Sequence, residues 1–83
     1  PIILYFYSQN DSLSQKQGLI LDDVVRAHNA TVFSIEYKYS DDLSYVENYY
    51  NVSATPSIVV DYDSVKHGLV PYEEVISLIS HKA

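Results

Sequence analysis

The chain has 83 residues, 47% of them hydrophobic, and a formal net charge of −6 with only five Lys and Arg. That is one small domain with enough apolar residues for a core. Its scarce, scattered cations exclude a nucleic-acid backbone as partner, which needs clustered positive charge, and disfavour an anionic membrane surface. The chain contains no cysteine, which removes disulfides, thiolate catalysis and cysteine-ligated metals. No apolar run approaches the roughly 18 residues of a membrane span. The first residue is Pro1 rather than Met, so the expectation is a processed protein or one domain, residues 1–83, of a longer one.

Ile2 to Tyr7, IILYFY, is a continuous apolar run of strand length, as in a strand buried on both faces. The chain then turns polar, and Asp11, Ser12 and Ser14 are each good helix N-caps. Leu21, Val24, Val25 and His28 recur at helical spacing, which predicts a helix from about Ser12 to Ala27. Asn29 ends it, because asparagine tolerates left-handed backbone. Thr31 to Tyr39 alternates, with Val32, Ser34, Glu36 and Lys38 on one side and Phe33, Ile35, Tyr37 and Tyr39 on the other: a second, less buried strand. Ser40 or Asp41 can cap a short helix from Asp42 to Tyr50, with Leu43, Val46 and Tyr50 on one face.

Ser57 to Asp61 is a β-branched run, Tyr62–Ser64 a tight-turn signal, and Val65 to His67 a returning antiparallel strand. Pro71 opens a last helix whose buried face is Val75, Ile76, Leu78 and Ile79, with His81 and Lys82 at the negative end of its dipole. The order is βαβαββα. A helix between the first two strands makes them a parallel pair. The fold class is α/β: one four-stranded mixed sheet with helices on both faces.

At this point the chain resembles a thioredoxin-fold domain of about glutaredoxin size. The strand ILYFYSQN runs into DSLS and then QKQGLILDDV without a gap, and SATPS stands directly before the strand SIVV. Gly68, ahead of the last helix, is a weaker match. The resemblance places Asp11 and Ser14 at the two redox cysteines of the family, so they are vestigial redox positions. It implies a cis peptide bond between Thr55 and Pro56, puts Tyr5 where many thioredoxins carry a buried acid, and puts the family's helix proline near Leu19, beside a Gly18 that permits a bend. The extra N-terminal strand and helix of larger members are missing. Two origins fit the absent cysteines. Replacement by design habitually uses Ser or Ala, which suits Ser14 and not Asp11, so natural loss is favoured.

Thiol–disulfide exchange needs a thiolate, so the chain as given is not a catalyst of it. His28, His67 and His81 are not expected to reach Ser12 or Ser14, and show no metal-ligand spacing. Asp22 and Asp23, on successive helix positions, point apart and make a poor acid–base dyad. No cofactor is implied. What the resemblance leaves is a surface. The residue before a cis proline in this fold offers free backbone groups with which an extended peptide can pair. Thr55 and Pro56 form one lip, Asn10, Asp11, Ser12, Leu13 and Ser14 the other, and Tyr7 an apolar wall. The expected partner is a peptide or protein segment, cationic by charge, bound to a domain that is monomeric in isolation. The alternative is a thiol–disulfide oxidoreductase domain whose cysteines at positions 11 and 14 have been replaced. Three N-x-[ST] sequons, at Asn10, Asn29 and Asn51, point to an extracytoplasmic location with glycosylation if they are used, and a cytoplasmic one if they are only turn residues.

Overall fold

A computed structural model describes residues 1–80. In chain order the elements are β1 (Ile2–Tyr7), α1 (Ser12–His28), β2 (Thr31–Glu36), a 3₁₀ turn (Asp41–Leu43), α2 (Ser44–Tyr49), β3 (Ser57–Val60), β4 (Ser64–His67) and α3 (Tyr72–Ser80). One sheet runs in the order β2-β1-β3-β4, with β1 parallel to β2 and antiparallel to β3, and β3 antiparallel to β4. The expected α/β architecture with a four-stranded mixed sheet is therefore the observed one.

The sequence pattern follows from position in the sheet. β1 and β3 are central and covered on both faces, so they are apolar almost throughout. β2 is an edge strand and alternates. On one face, α1 and α3 pack Leu21, Val24 and Val75 against Ile3, Tyr5, Ile58 and Val60. On the other face, Leu4, Phe6, Val52 and Val59 are met by Val46 and Tyr50 around the short α2.

Three features differ from the sequence expectations. β2 stops at Glu36, not Tyr39, because β1 ends at Tyr7 and offers no further ladder partner; Lys38 turns at φ 58° and Tyr39 N–H closes on the Glu36 carbonyl at 3.2 Å. The helix expected from Asp42 is split into a 3₁₀ turn, capped by the Ser40 hydroxyl, followed by α2. β3 ends at Val60, and the hairpin turn is Asp61–Tyr62, both at positive φ (51° and 62°), rather than Tyr62–Ser64. Positive φ at both central residues defines a type I′ turn, whose twist suits a hairpin. The first helix, expected from about Ser12 to Ala27, is observed as one continuous helix through Gly18. His81 and Lys82 lie outside the described residues.

Candidate functional site

The end of β1, the segment before β3 and the start of α1 converge on one polar cluster. Asp11 is the N-cap of α1, accepting from the Leu13 N–H at 3.2 Å. Its other carboxylate oxygen accepts from the Ser14 hydroxyl at 2.7 Å and the Thr55 hydroxyl at 3.1 Å. The Ser8 and Thr55 hydroxyls are 2.8 Å apart. Thr55 has a single hydroxyl proton and gives it to Asp11, so Ser8 is the donor in that contact. The Ser8 N–H closes the ring on the Ser14 hydroxyl at 3.2 Å. Every hydroxyl in the group thus has an assigned direction, and the carboxylate is the terminal acceptor.

These bonds favour the ionised carboxylate. Asp11 is held below its ordinary value of 3.8, chiefly by the Ser14 hydroxyl, with Thr55 and the Leu13 and Ser14 N–H groups adding to it against a partial desolvation.

Beneath the cluster, the Tyr5 hydroxyl donates to the Ser14 carbonyl. Burial, then the charge of Asp11, holds the phenol above its ordinary value of 10.0. Gly18 lies beside it: a Cβ built there would stand 3.4 Å from the Tyr5 oxygen, an ordinary contact. The position at which the resemblance puts a buried acid is thus filled by a neutral donor tied to the Ser14 backbone.

The residues expected at the site separate into two groups. Asp11, Ser14 and Thr55 are brought together; Ser14 is only 1% exposed. Pro56 is buried next to them, the Thr55–Pro56 peptide is cis, and the Pro56 carbonyl accepts from the Gly68 N–H at 2.8 Å. Asn10 on the loop and the side chains of Ser12 and Leu13 at the start of α1 are exposed and outside the hydrogen-bonded group. Tyr7 is also outside it, stacked on the Tyr5 ring with centroids 5.6 Å apart. Sequence reasoning misses Ser8, whose one signal is its place as the first polar residue after an apolar strand. Among the described residues no bond takes the backbone N–H or C=O of Thr55, which borders this cluster half-exposed.

Other candidate chemistry is absent or accounted for. Ser57 and His67 approach at 3.2 Å, but Ser57 is fully buried and donates its proton to the Ala54 carbonyl, so it is not a nucleophile. Asp23 pairs with Arg26, away from the Asp22 that borders the α1–β2 cleft. No cluster of His, Asp and Glu with metal-binding geometry occurs among the described residues, and no helix among them is long and apolar enough to cross a membrane. The sequon asparagines Asn10, Asn29 and Asn51 all occupy left-handed backbone, at φ 59°, 54° and 56°. That is a conformation asparagine is suited to as a turn or cap residue.

Neither protein-family models nor curated protein sequences match the chain. Solved structures do. It superposes on thioredoxin-2, a component of malaria parasite protein secretion machinery, with a TM-score of 0.80 at 16% identity, covering 96% of this chain and 81% of that one. A mutant thioredoxin from Halobacterium salinarum NRC-1 gives 0.79 at 17% identity, covering 96% and 72%. Thioredoxin from Aeropyrum pernix gives 0.78 at 15%, covering 99% and 74%. The chain has the thioredoxin fold, without cysteine.

Proposed function

We propose that this domain is a redox-inactive thioredoxin-fold module, part of a larger protein, that binds an extended peptide or protein segment along Thr55. The observation that carries this reading is the free Thr55 backbone bordering an ionised Asp11. An extended segment adds main-chain hydrogen bonds to such groups. Each contributes only about 1 kcal/mol net, so affinity is modest unless side chains contribute. Asp11 and the net charge of −6 favour a Lys- or Arg-bearing segment, with binding that weakens as salt rises. A glycan on Asn10 would occupy the opposite lip, so peptide binding and use of that sequon exclude each other.

The test is a titration with short Lys- and Arg-containing peptides against the wild type and Asp11→Asn. Weaker binding by the variant and at high salt supports the reading; equal binding by both proteins at all salt concentrations overturns the role of Asp11.

The alternative is an oxidoreductase domain whose two cysteines have been replaced. One observation favours it: the side chains of Asp11 and Ser14 meet at 2.7 Å across the first turn of α1, the approach that a dithiol pair would need. An encoding gene with cysteine at both positions would decide for it.

A further inference from the structure

Three of the chain's four asparagines stand in N-x-[ST] sequons, Asn48 being the exception. Ser and Thr make up 13 of the 83 residues, so four asparagines would give fewer than one sequon by chance. A turn or cap role accounts for asparagine at a left-handed position, but it sets no requirement two residues further on. The three sequons also lie in different local settings: Asn10 before α1, Asn29 between α1 and β2, and Asn51 after α2.

The fold presents all three alike. Asn10, Asn29 and Asn51 are exposed, and so are Ser12, Thr31 and Ser53, the hydroxyl residues of the same sequons. The middle residue is the one held inward. Ala30 and Val52 are each 6% exposed and belong to the two core clusters, and Asp11 turns to Ser14 and Thr55. Backbone bonds fix the segments at Asn29 and Asn51. The Asn29 N–H reaches the Val25 carbonyl at 3.1 Å and the Thr31 N–H the Pro1 carbonyl at 2.9 Å. The Asn51 N–H reaches the Asn48 carbonyl at 3.2 Å and the Val52 N–H the Glu47 carbonyl at 2.8 Å. Among the described residues, nothing hydrogen-bonds the side-chain amides of these asparagines. A glycan acceptor needs a side-chain amide that the fold does not use, with open surface around it.

We propose that Asn29 and Asn51 carry N-linked glycans, which puts the domain in a compartment reached by translocation across a membrane. In the transfer, the amide nitrogen bonds to the anomeric carbon of a lipid-phosphate-linked oligosaccharide. The bond from that carbon to the phosphate oxygen breaks, the lipid phosphate leaves with the bonding pair, and the amide proton passes to a base of the transferase. A glycan on Asn29 stands clear of the proposed peptide edge. Asn29 follows the far end of α1, 17 residues or about 26 Å of helix from the Asp11 cap. Asn10 meets the same surface conditions but sits on the lip of that edge, so its state bears on the peptide-binding reading rather than on this one.

The test is peptide mapping by mass spectrometry of the protein isolated from the cells that make it. The expected result is an oligosaccharide mass on the peptides that hold Asn29 and Asn51. Bare asparagine at either position overturns the proposal. Variants are best made at the hydroxyl residues, because glutamine in place of asparagine would be forced into φ of 54° or 56°. Thr31→Ala and Ser53→Ala, both at exposed positions, leave that backbone to asparagine and should each abolish the glycan of their own sequon, whereas Thr31→Ser should retain it. A mass that survives Thr31→Ala or Ser53→Ala marks a different modification and overturns the assignment. A glycan on Asn10 would count against the peptide edge and leave this inference standing. Bare Asn29 and Asn51 would do the reverse, so the two can fail separately.

Discussion

The hydroxyl of Tyr5 donates to the carbonyl of Ser14, so a neutral side chain of β1 is bonded to the first turn of α1 directly beneath the cluster that Asp11 organises. Tyr5→Phe keeps the packing and removes only this bond. It should cost about 1 kcal/mol, measured by denaturant unfolding at neutral pH. The pH dependence has a definite sign. Because the folded phenol titrates above 10.0, its contribution is complete below that value and is lost as pH rises through the raised one. The wild type should therefore lose more stability than Tyr5→Phe above pH 10.

Gln17 is fully buried and makes two bonds to one residue: its amide N–H to the Val70 carbonyl at 3.1 Å, and its amide oxygen from the Val70 N–H at 2.7 Å. It pins α1 to the segment leading into α3. Gln17→Leu orphans both Val70 groups in a buried place, at roughly 1–3 kcal/mol each. Thermal unfolding should show one of the larger losses of any single polar substitution here, and a loss under about 1 kcal/mol would mean that water replaces the amide.

Asp11→Asn separates capping from charge. Asparagine still caps a helix, so neutral-pH stability should fall little. The folded carboxyl titrates below 3.8, so its contribution is present above that value and is lost as pH falls through the depressed one. Acid unfolding of the variant should lack that loss, visible as a shallower stability profile below about pH 4.

Asp11→Cys combined with Ser14→Cys should form an intramolecular disulfide under mild oxidation, because these two side chains already meet across one helical turn. The thiol at position 11, at a helix N-terminus, should titrate below an ordinary cysteine, read by the pH dependence of alkylation. Failure to close the bond would show that the loop register differs from the one the resemblance implies.

Much of this is legible in the sequence, and the rest has physical reasons for being hidden. β1 and β3 announce themselves because strands covered on both faces are apolar at nearly every position. The cap at Asp11 and the left-handed stop at Asn29 are local chemistry and readable as such. The Asp61–Tyr62 turn is misplaced by one residue because tyrosine is a poor residue at positive φ, so local preference points further on. Gln17 escapes notice because a polar residue on a helix reads as solvent-facing. Its signal is the stripe Ser14, Gln17, Leu21, Val24, whose spacing puts it in line with the core. Ser8 and the direction of the Tyr5 hydroxyl depend on contacts between β1, α1 and the segment before β3, which no single stretch encodes.

Thr55 and the Asp11 loop are proposed to form one peptide-binding edge, and the proposed function rests on that. The measurement that tests it most directly is amide chemical-shift mapping with a short arginine-containing peptide, below helix-forming length. The account predicts saturable shifts confined to Asn10–Ser14 and Ala54–Ser57, weakening with salt. Shifts scattered elsewhere, or none at any concentration across a library of such peptides, would contradict it and leave a spacer domain.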